Sequence, residues 1–280
     1  MMTRELTLGF SPCPNDTFMF YPLVHGLVDT GGLVYRERLA DVETLNKLAR
    51  AGELDVSKVS YHAFGHIREE YALLRSGSAL GRGCGPLLVA AEKCDPRALR
   101  GRTIAVPGRY TTALLLLRLF DPQLDTFIIM PFNEIMDAVL SGSVDAGLII
   151  HESRFTYHGF GLHKLLDLGE WWEAETGLPL PLGGIVARRS LGTETIAAVE
   201  RALKAGVEYA LAQPDEAARY IGEHAQEMSP EVCAAHISLY VNDFSNDLGD
   251  EGVRAITCLL QRAELAGIIP ASTVPLFITH

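Results

Sequence analysis

The amino-acid sequence predicts an α/β protein with two lobes and a ligand-binding cleft between them. Strand-like segments alternate with amphipathic helices through the first half of the chain, which is typical of parallel sheets with helical crossovers. Polar side chains follow several of these segments, and one helix–glycine–strand pattern occurs twice. Ligands of open α/β sheets bind beyond the carboxyl ends of the strands, so two such sheets facing each other would form a cleft.

The first segments follow this alternation in order. "ELTLGF" alternates apolar and polar residues, as a half-buried strand does. After the rigid turn "SPCPND", Asn15 or Asp16 is expected to cap a helix that starts near Thr17. "GLVYRERL" predicts the next strand, and Asp41 is expected to cap a helix that Gly52 ends. "LDVSKVS" predicts a short third strand.

The middle of the chain repeats the alternation. "LGRGCGPLLVAA" predicts a strand with close backbone approaches, near a boundary between lobes. "RTIAVPGRYTTALLLLRLF" predicts a strand, a glycine turn and a helix. "DTFIIMPF" and "VDAGLII" predict two more strands, with a helix opened by Asn133 between them. From Thr193 onward we expect mainly amphipathic helices.

The repeated pattern consists of "LNKLARAGELDVSKVSYHAFGH" and "IMDAVLSGSVDAGLIIHESRF". Each contains an amphipathic helix, a glycine, an acidic residue, a short strand and a polar group at the strand end. Superposing Asp55 on Asp145 places Ser60 beside Ile150 and Tyr61 beside His151. The repeat predicts paired lobes that each present polar residues from the carboxyl end of a strand.

Length, charge and cysteine usage limit the class of protein. The chain has 280 residues, 48% of them hydrophobic, which is enough for one large domain or two small ones. The net charge is −11 and no basic cluster occurs, so we expect neither a nucleic-acid nor a membrane partner. No signal-peptide pattern is present, and the five cysteines are scattered and odd in number. We therefore expect a cytoplasmic protein with free thiols.

Two strand ends carry candidate functional groups. His151 follows the apolar strand "GLII", where an imidazole with a pKa near neutrality is suited to general-base catalysis. The alternative is a histidine whose ring is hydrogen-bonded to a backbone carbonyl. On the matching strand, Lys58 and Ser60 share one face and could hold an anionic or hydroxylated ligand. The alternative there is a solvated edge strand.

Two helix starts are also candidate binding positions. Thr111 and Thr112 begin the helix after "PGRY", where a backbone N–H such as that of Ala113 attracts anions. The alternative is that these hydroxyls only cap the helix. Asn15 follows the proline-rich turn "SPCP" and would either cap its helix or contact a ligand. The alternative is that the whole turn is only structural.

The sequence contains no recognised metal or nucleotide motif. His62 and His66 have the spacing of a helical metal pair, but Gly65 weakens that helix and no third ligand is evident. We therefore predict no metal site. Walker, dinucleotide-binding and nucleophile-elbow patterns are absent from the sequence.

Five segments in order resemble the 1,4-dihydroxy-6-naphthoate synthase family. They are "GFSPCPNDTFMFYPLVHG", "DVSKVSYHAFG", "SALGRGCGPLLVA", "TIAVPGRYTTALLLL" and "DAGLIIHESRFTY". The resemblance implies a fold like the type II periplasmic binding proteins, with crossings between lobes near residues 91–95 and 181–185. The larger lobe would contain residues 1–92 and 184–280, and the smaller lobe residues 93–183.

The resemblance also implies an activity on the futalosine route to menaquinone. Family members convert cyclic dehypoxanthinyl futalosine to 1,4-dihydroxy-6-naphthoate and dihydroxyacetone, as carbon–carbon lyases without a metal or redox cofactor. It implies that His151, in neutral form, is the proton acceptor for a small anionic substrate. The implied substrate contacts are Lys58, Val59, Ser60, Thr111, Thr112 and Ala113.

Two alternatives remain open from the sequence. A non-catalytic cytoplasmic binding protein for a small anionic ligand would have the same fold, although such proteins normally carry the signal peptide that is missing here. A chorismate dehydratase would also have this fold, but "SPCPNDTF" and "GLIIHE" favour the synthase. Incubation with each candidate substrate separates these alternatives.

Overall fold

The computed structural model describes residues 4–225 and 229–278, and within them eleven strands form two mixed sheets. The strands are β1 Arg4–Phe10, β2 Leu33–Leu39, β3 Val56–Ser60, β4 Tyr71–Leu73, β5 Ala79–Gly81, β6 Leu87–Ala90, β7 Ile104–Val106, β8 Phe127–Ile129, β9 Ala146–Ile149, β10 His163–Asp167 and β11 Leu180–Arg188. The α-helices are α1 Pro14–Val24, α2 Val42–Arg50, α3 Tyr61–His66, α4 Thr112–Phe120, α5 Ile135–Leu140, α6 Ser153–Thr156, α7 Leu168–Thr176, α8 Thr193–Ala212, α9 Ala218–His224, α10 Pro230–Tyr240, α11 Asp243–Asn246 and α12 Gly249–Leu265.

The two sheets have equivalent strand orders. The first sheet runs β2-β1-β3-β11-β4, with β5 also paired to β11, and the second, in reverse, runs β8-β7-β9-β6-β10. In the first sheet, β3 lies between the parallel strand β1 and the antiparallel strand β11. In the second sheet, β9 lies in the same way between the parallel strand β7 and the antiparallel strand β6. The repeat predicted from the sequence is therefore confirmed, and β3 and β9 hold equivalent positions.

The acidic residue of each repeat has the same local role. The carboxylate of Asp55 accepts hydrogen bonds from the N–H and the hydroxyl of Thr7, each at 2.9 Å. The carboxylate of Asp145 accepts from the N–H of Thr103 at 2.8 Å. Each side chain thus fixes the start of its strand against the parallel neighbour, which sets the register of the strand ends that follow.

The chain crosses from the first sheet to the second earlier than the sequence predicted. β6 pairs with β9 and β10 of the second sheet, so the chain leaves the first sheet between Gly81 and Leu87, before the predicted crossing at residues 91–95. The predicted single strand is two short strands because the segment between them turns and approaches Gly169 closely. A Cβ at Gly85 would lie 2.1 Å from the nitrogen of Gly169. The chain returns before Leu180, where β11 begins.

Several local predictions are confirmed and two are corrected. Asp41 caps α2, and the helical C-terminal region begins at Thr193 as expected. The first helix begins at Pro14, not near Thr17, because proline is favoured in the first turn, so Asn15 lies inside the helix rather than at its cap. Asn133 lies in a short 3₁₀ turn, and α5 begins two residues later.

The C-terminal helices pack around the first sheet. α8 packs against α1 and β11, and α12 packs against α3, α4 and β11. The largest buried cluster contains side chains of both sheets, such as Leu88 of β6 and Val186 of β11. The two lobes thus share apolar core on one side and face each other across a cleft on the other. None of the helices in residues 4–225 and 229–278 has the length and apolar character required to cross a bilayer.

Candidate functional site

A cleft with about 700 Å³ of empty space, part of it open to solvent, lies between the two sheets. Strands β3 and β9 end at it, and so do the first turns of α1 and α4, which are equivalent helices in the two halves. The fold therefore brings together residues that are far apart in the sequence. All eight predicted site residues line this cleft: Asn15, Lys58, Val59, Ser60, Thr111, Thr112, Ala113 and His151.

Lys58 and Asp16 form a buried ion pair at the base of the cleft. The Nζ atom of Lys58 is 3.0 Å from Oδ1 of Asp16 and donates a second hydrogen bond to the carbonyl of Gly77 at 3.3 Å. The N–H and hydroxyl of Ser11 donate to the other carboxylate oxygen. An ammonium has three N–H donors, so one remains for a ligand. The alternative of a solvated edge strand is wrong, because β3 is buried between β1 and β11.

Ser60 is fixed by Asn46 of α2. The N–H of Ser60 donates to Oδ1 of Asn46 at 2.9 Å, and the Asn46 amide donates to the Ser60 hydroxyl at 3.2 Å. Because that hydroxyl accepts from Asn46, its own proton is available for an acceptor in the cleft. The end of β3 therefore presents one ammonium N–H and one hydroxyl on a rigid strand.

The start of α4 presents backbone donors. The Thr111 hydroxyl caps the helix by accepting from the N–H of Leu114, and the Thr112 hydroxyl donates to the carbonyl of Leu182 and accepts from the N–H of Tyr61. Both hydroxyls are thus used within the protein. Among the described residues, the N–H groups of Thr112 and Ala113 have no acceptor, and such free donors at a helix start favour an anion.

Glu43 of α2 connects the first lobe to the loop before α4. Its carboxylate accepts from the N–H of Arg109 at 3.0 Å and from that of Tyr110 at 3.1 Å. The approach requires a glycine, since a Cβ at Gly108 would lie 2.3 Å from a Glu43 oxygen. This contact was not predicted, because nothing in either segment alone indicates its partner.

His151 lies on the opposite side, immediately after β9. Its φ of +55° is in the left-handed region, and it is the one non-glycine residue with positive φ in the described part of the chain. Its Nδ1 atom is 3.6 Å from the Sγ atom of Cys13, which belongs to the other lobe. Its ring also packs against Phe132 and, nearly parallel, against His236. The alternative of a ring satisfied by a backbone carbonyl is wrong for the described residues.

The charges around His151 favour its protonated form. Burial lowers the pKa of the imidazole. The charge of Cys13 and its hydrogen bond to the ring, and then the carboxylates of Glu152 and Asp16, outweigh burial and raise the pKa to about 9. The sequence predicted a neutral ring. It did not show this effect, because Cys13 is 138 positions away and only the fold brings the two residues together.

A smaller cavity lies behind the Cys13–His151 contact, with about 430 Å³ of empty space including its open part. Asp41 and Glu152 both line it, and Oε2 of Glu152 is buried without a hydrogen-bond partner among the described residues. Glu152 was not predicted as a site residue. The signal for it was its position in "GLIIHE", directly after the candidate base.

The contacts of His62 and His66 are explained by the fold. The rings lie 5.4 Å apart, and Nδ1 of His62 is 3.2 Å from the carbonyl of Thr111. Burial first, then the charge of His66, lowers the pKa of His62 to about 3, so its ring is neutral and donates to that carbonyl. Within residues 4–225 and 229–278, no group of three or more His, Cys, Asp or Glu side chains is arranged to hold a metal ion.

Comparison with solved structures confirms the fold class. Protein AF1704 of Archaeoglobus fulgidus superposes with a TM-score of 0.88 at 38% identity, covering 95% of this chain and 98% of that protein. The alkanesulfonate-binding protein SsuA of Xanthomonas axonopodis superposes with a TM-score of 0.70 at 13% identity, covering 97% and 96% of the two chains. The second similarity concerns the fold alone, which is that of the periplasmic binding proteins.

Comparison of sequences identifies the family. A family model described as menaquinone biosynthesis matches residues 6–265. A 1,4-dihydroxy-6-naphthoate synthase of Thermus thermophilus is 52% identical over 275 residues, covering 98% of this chain and 100% of the relative. The enzyme of the same name from Streptomyces coelicolor is 49% identical over 276 residues, covering 97% of each chain. The chain therefore belongs to the 1,4-dihydroxy-6-naphthoate synthase family of menaquinone biosynthesis.

Proposed function

We propose that this protein is a carbon–carbon lyase that converts cyclic dehypoxanthinyl futalosine to 1,4-dihydroxy-6-naphthoate and dihydroxyacetone. The observation that carries the proposal is that His151 and the backbone donors of α4, from one half, converge with Lys58 and Ser60, from the other half, on a single cleft. Relatives that are about half identical along their whole length carry the synthase name, which agrees with this activity.

The donors of the cleft suit the oxygens of an anionic substrate. The carboxylate would bind at the start of α4, where the N–H groups of Thr112 and Ala113 have no acceptor among the described residues and the helix dipole favours negative charge. The free N–H of Lys58 and the hydroxyl of Ser60 would bind substrate hydroxyls. Asn15 and Val59 would complete the wall. Each of these groups is fixed before the substrate arrives, which reduces the entropy lost on binding.

His151 would act as the proton acceptor. Removing a proton from the substrate allows the spirocyclic ring to open, and the aromatisation that follows makes the reaction favourable. The ring accepts a proton only in its neutral form, so the active fraction of the enzyme increases with pH through the pKa of about 9. Closure of the lobes would exclude water from the reacting centre. No metal or redox cofactor is part of this proposal, and the cytoplasmic location stays a prediction.

The proposal is tested by assaying product formation from two substrates. The purified protein is incubated separately with cyclic dehypoxanthinyl futalosine and with chorismate, and the products are identified by mass spectrometry. We expect the naphthoate and dihydroxyacetone in equal amounts from the first substrate only. Loss of water from chorismate would support a dehydratase instead, and binding of the first substrate without any product would support a binding protein.

A further inference from the structure

A second histidine, His236 of α10, lines the same cleft as His151. It is 1% exposed, so its ring is inside the protein. Neither Nδ1 nor Nε2 has a hydrogen-bond partner among the described residues. Buried polar atoms are almost always paired, because leaving them without a partner costs free energy. Two unpaired nitrogens that face a cleft therefore indicate a ligand that pairs with them.

The other buried histidine in the part of the chain that the structure describes shows the contrast. His62 is also buried, but its Nδ1 donates to the carbonyl of Thr111, so its position is explained by the fold alone. His236 has ring contacts with Tyr240 at 4.6 Å and with His151 at 6.1 Å, and neither satisfies its nitrogens. The packing thus fixes the orientation of the His236 ring without using its polar atoms.

The environment of His236 also keeps the ring uncharged. Burial first, then the positive charge of His151, lowers its pKa to about 3, with Lys58 adding to this and Asp16 opposing it. A neutral imidazole has one N–H donor and one lone-pair acceptor. A hydroxyl group can accept from this N–H or donate to this lone pair, so it can pair with either nitrogen of the ring. A carboxylate offers acceptors only, and the start of α4 is the better place for it.

We propose that His236 is a substrate-binding residue that pairs, through one of its two nitrogens, with a hydroxyl group of the bound substrate. This inference rests on the proposed function for the identity of the substrate. Because His236 packs nearly parallel to His151, the oxygen that it holds would lie beside the proton acceptor. The residue thereby fixes which part of the substrate faces His151.

Three substitutions test this assignment. His236→Phe keeps an aromatic ring at this position and removes both nitrogens. His236→Asn retains an amide close to the position of Nδ1, and His236→Gln retains one close to Nε2. The dissociation constant of cyclic dehypoxanthinyl futalosine is measured by calorimetry in a His151→Ala background, where turnover does not interfere. Thermal unfolding of each variant shows that the fold is kept.

We expect His236→Phe to weaken binding at least tenfold with cooperative unfolding retained, and one of the two amide variants to recover at least threefold of that loss. The amide that recovers binding identifies the nitrogen in contact. Unchanged binding by His236→Phe, within twofold, would overturn the inference, and so would a loss that neither amide recovers. Failure of the proposed function appears separately, as absence of naphthoate from the otherwise unmodified enzyme.

Discussion

The ends of β3 and β9 occupy equivalent positions in the two halves of the molecule, but their polar groups differ in how fully they are paired. At the end of β3, Lys58 is bonded to Asp16 and Ser60 to Asn46. At the end of β9, His151 has a strained backbone and a thiol contact at 3.6 Å, and Glu152 has a buried oxygen without a partner in the described part of the chain. One half therefore holds groups in place, and the other keeps groups available for chemistry.

The connections after the two strands explain this difference. β3 continues directly into α3, and the Thr112 hydroxyl accepts from the first N–H of that helix. β9 is followed by a turn and only the four-residue helix α6. A side chain on a turn can adopt a backbone angle that a strand or helix does not permit. The left-handed His151 is thus possible only on the second side.

The largest effect on stability is expected from breaking the buried ion pair of the first half. Asp16→Asn would leave the Lys58 ammonium buried without a counter-charge, which costs about 3–5 kcal/mol. The free energy of unfolding is measured with urea. The control is Glu53→Ala, which breaks the exposed pair with Arg38 and should cost less than about 1 kcal/mol. Equal effects of the two substitutions would show that the first half does not depend on this pair.

The next effect is expected at the contact between α4 and the first sheet. Thr112→Val keeps the shape of the side chain but leaves the carbonyl of Leu182 and the N–H of Tyr61 unpaired, at about 1–3 kcal/mol for each group. We expect a lower melting temperature and weaker substrate binding. Thr126→Val is the control, because that hydroxyl bonds only to the exposed neighbouring Asp125. A Thr112 variant as stable as this control would contradict the role given to the contact.

A smaller effect is expected from the backbone strain at His151. A Cβ in the left-handed region costs about 1 kcal/mol relative to glycine. His151→Gly should therefore be more stable than His151→Ala by about that amount, although both lose activity. Chemical unfolding of the two variants in parallel gives the difference. A less stable glycine variant would show that the left-handed turn carries no strain.

The smallest effect is expected on the pH dependence of activity. Burial lowers the pKa of His151, and the Cys13 thiolate is the largest contribution that raises it, to about 9. A base must be unprotonated to act, so kcat/KM should rise with pH through this value. Cys13→Ala and Cys13→Ser both remove the thiolate, so the rise should move to lower pH. An unchanged pH profile in both variants would show that Cys13 does not affect the pKa of His151.

The sequence predicted the repeated plan and the residues at its strand ends, because position in an α/β unit places a side chain at the cleft. It did not predict what those residues bond to. Asp16 and Lys58 are 42 positions apart, and Cys13 and His151 are 138 apart, so only the folded chain defines their contacts.

Two further features were not predicted, for different reasons. The crossing to the second sheet was placed too late because "LGRGCGPLLVAA" has the composition of one strand while its glycines allow a turn. His236 lies on a helix whose inward face also carries Tyr240, and that spacing is as typical of a core as of a site. Only its unpaired nitrogens distinguish it.

The central claim is that His151 removes the proton while other residues of the cleft hold the substrate. The most direct test compares substrate binding with turnover in His151→Ala. Binding of cyclic dehypoxanthinyl futalosine is measured by calorimetry, and naphthoate formation is followed under single-turnover conditions. We expect the dissociation constant to stay within about threefold of the concentration that half-saturates the single-turnover rate of the unmodified enzyme, because the groups at the end of β3 and the start of α4 that hold the substrate are unchanged. The rate of product formation should fall by at least about a hundredfold. Product formation at the unmodified rate would contradict the account.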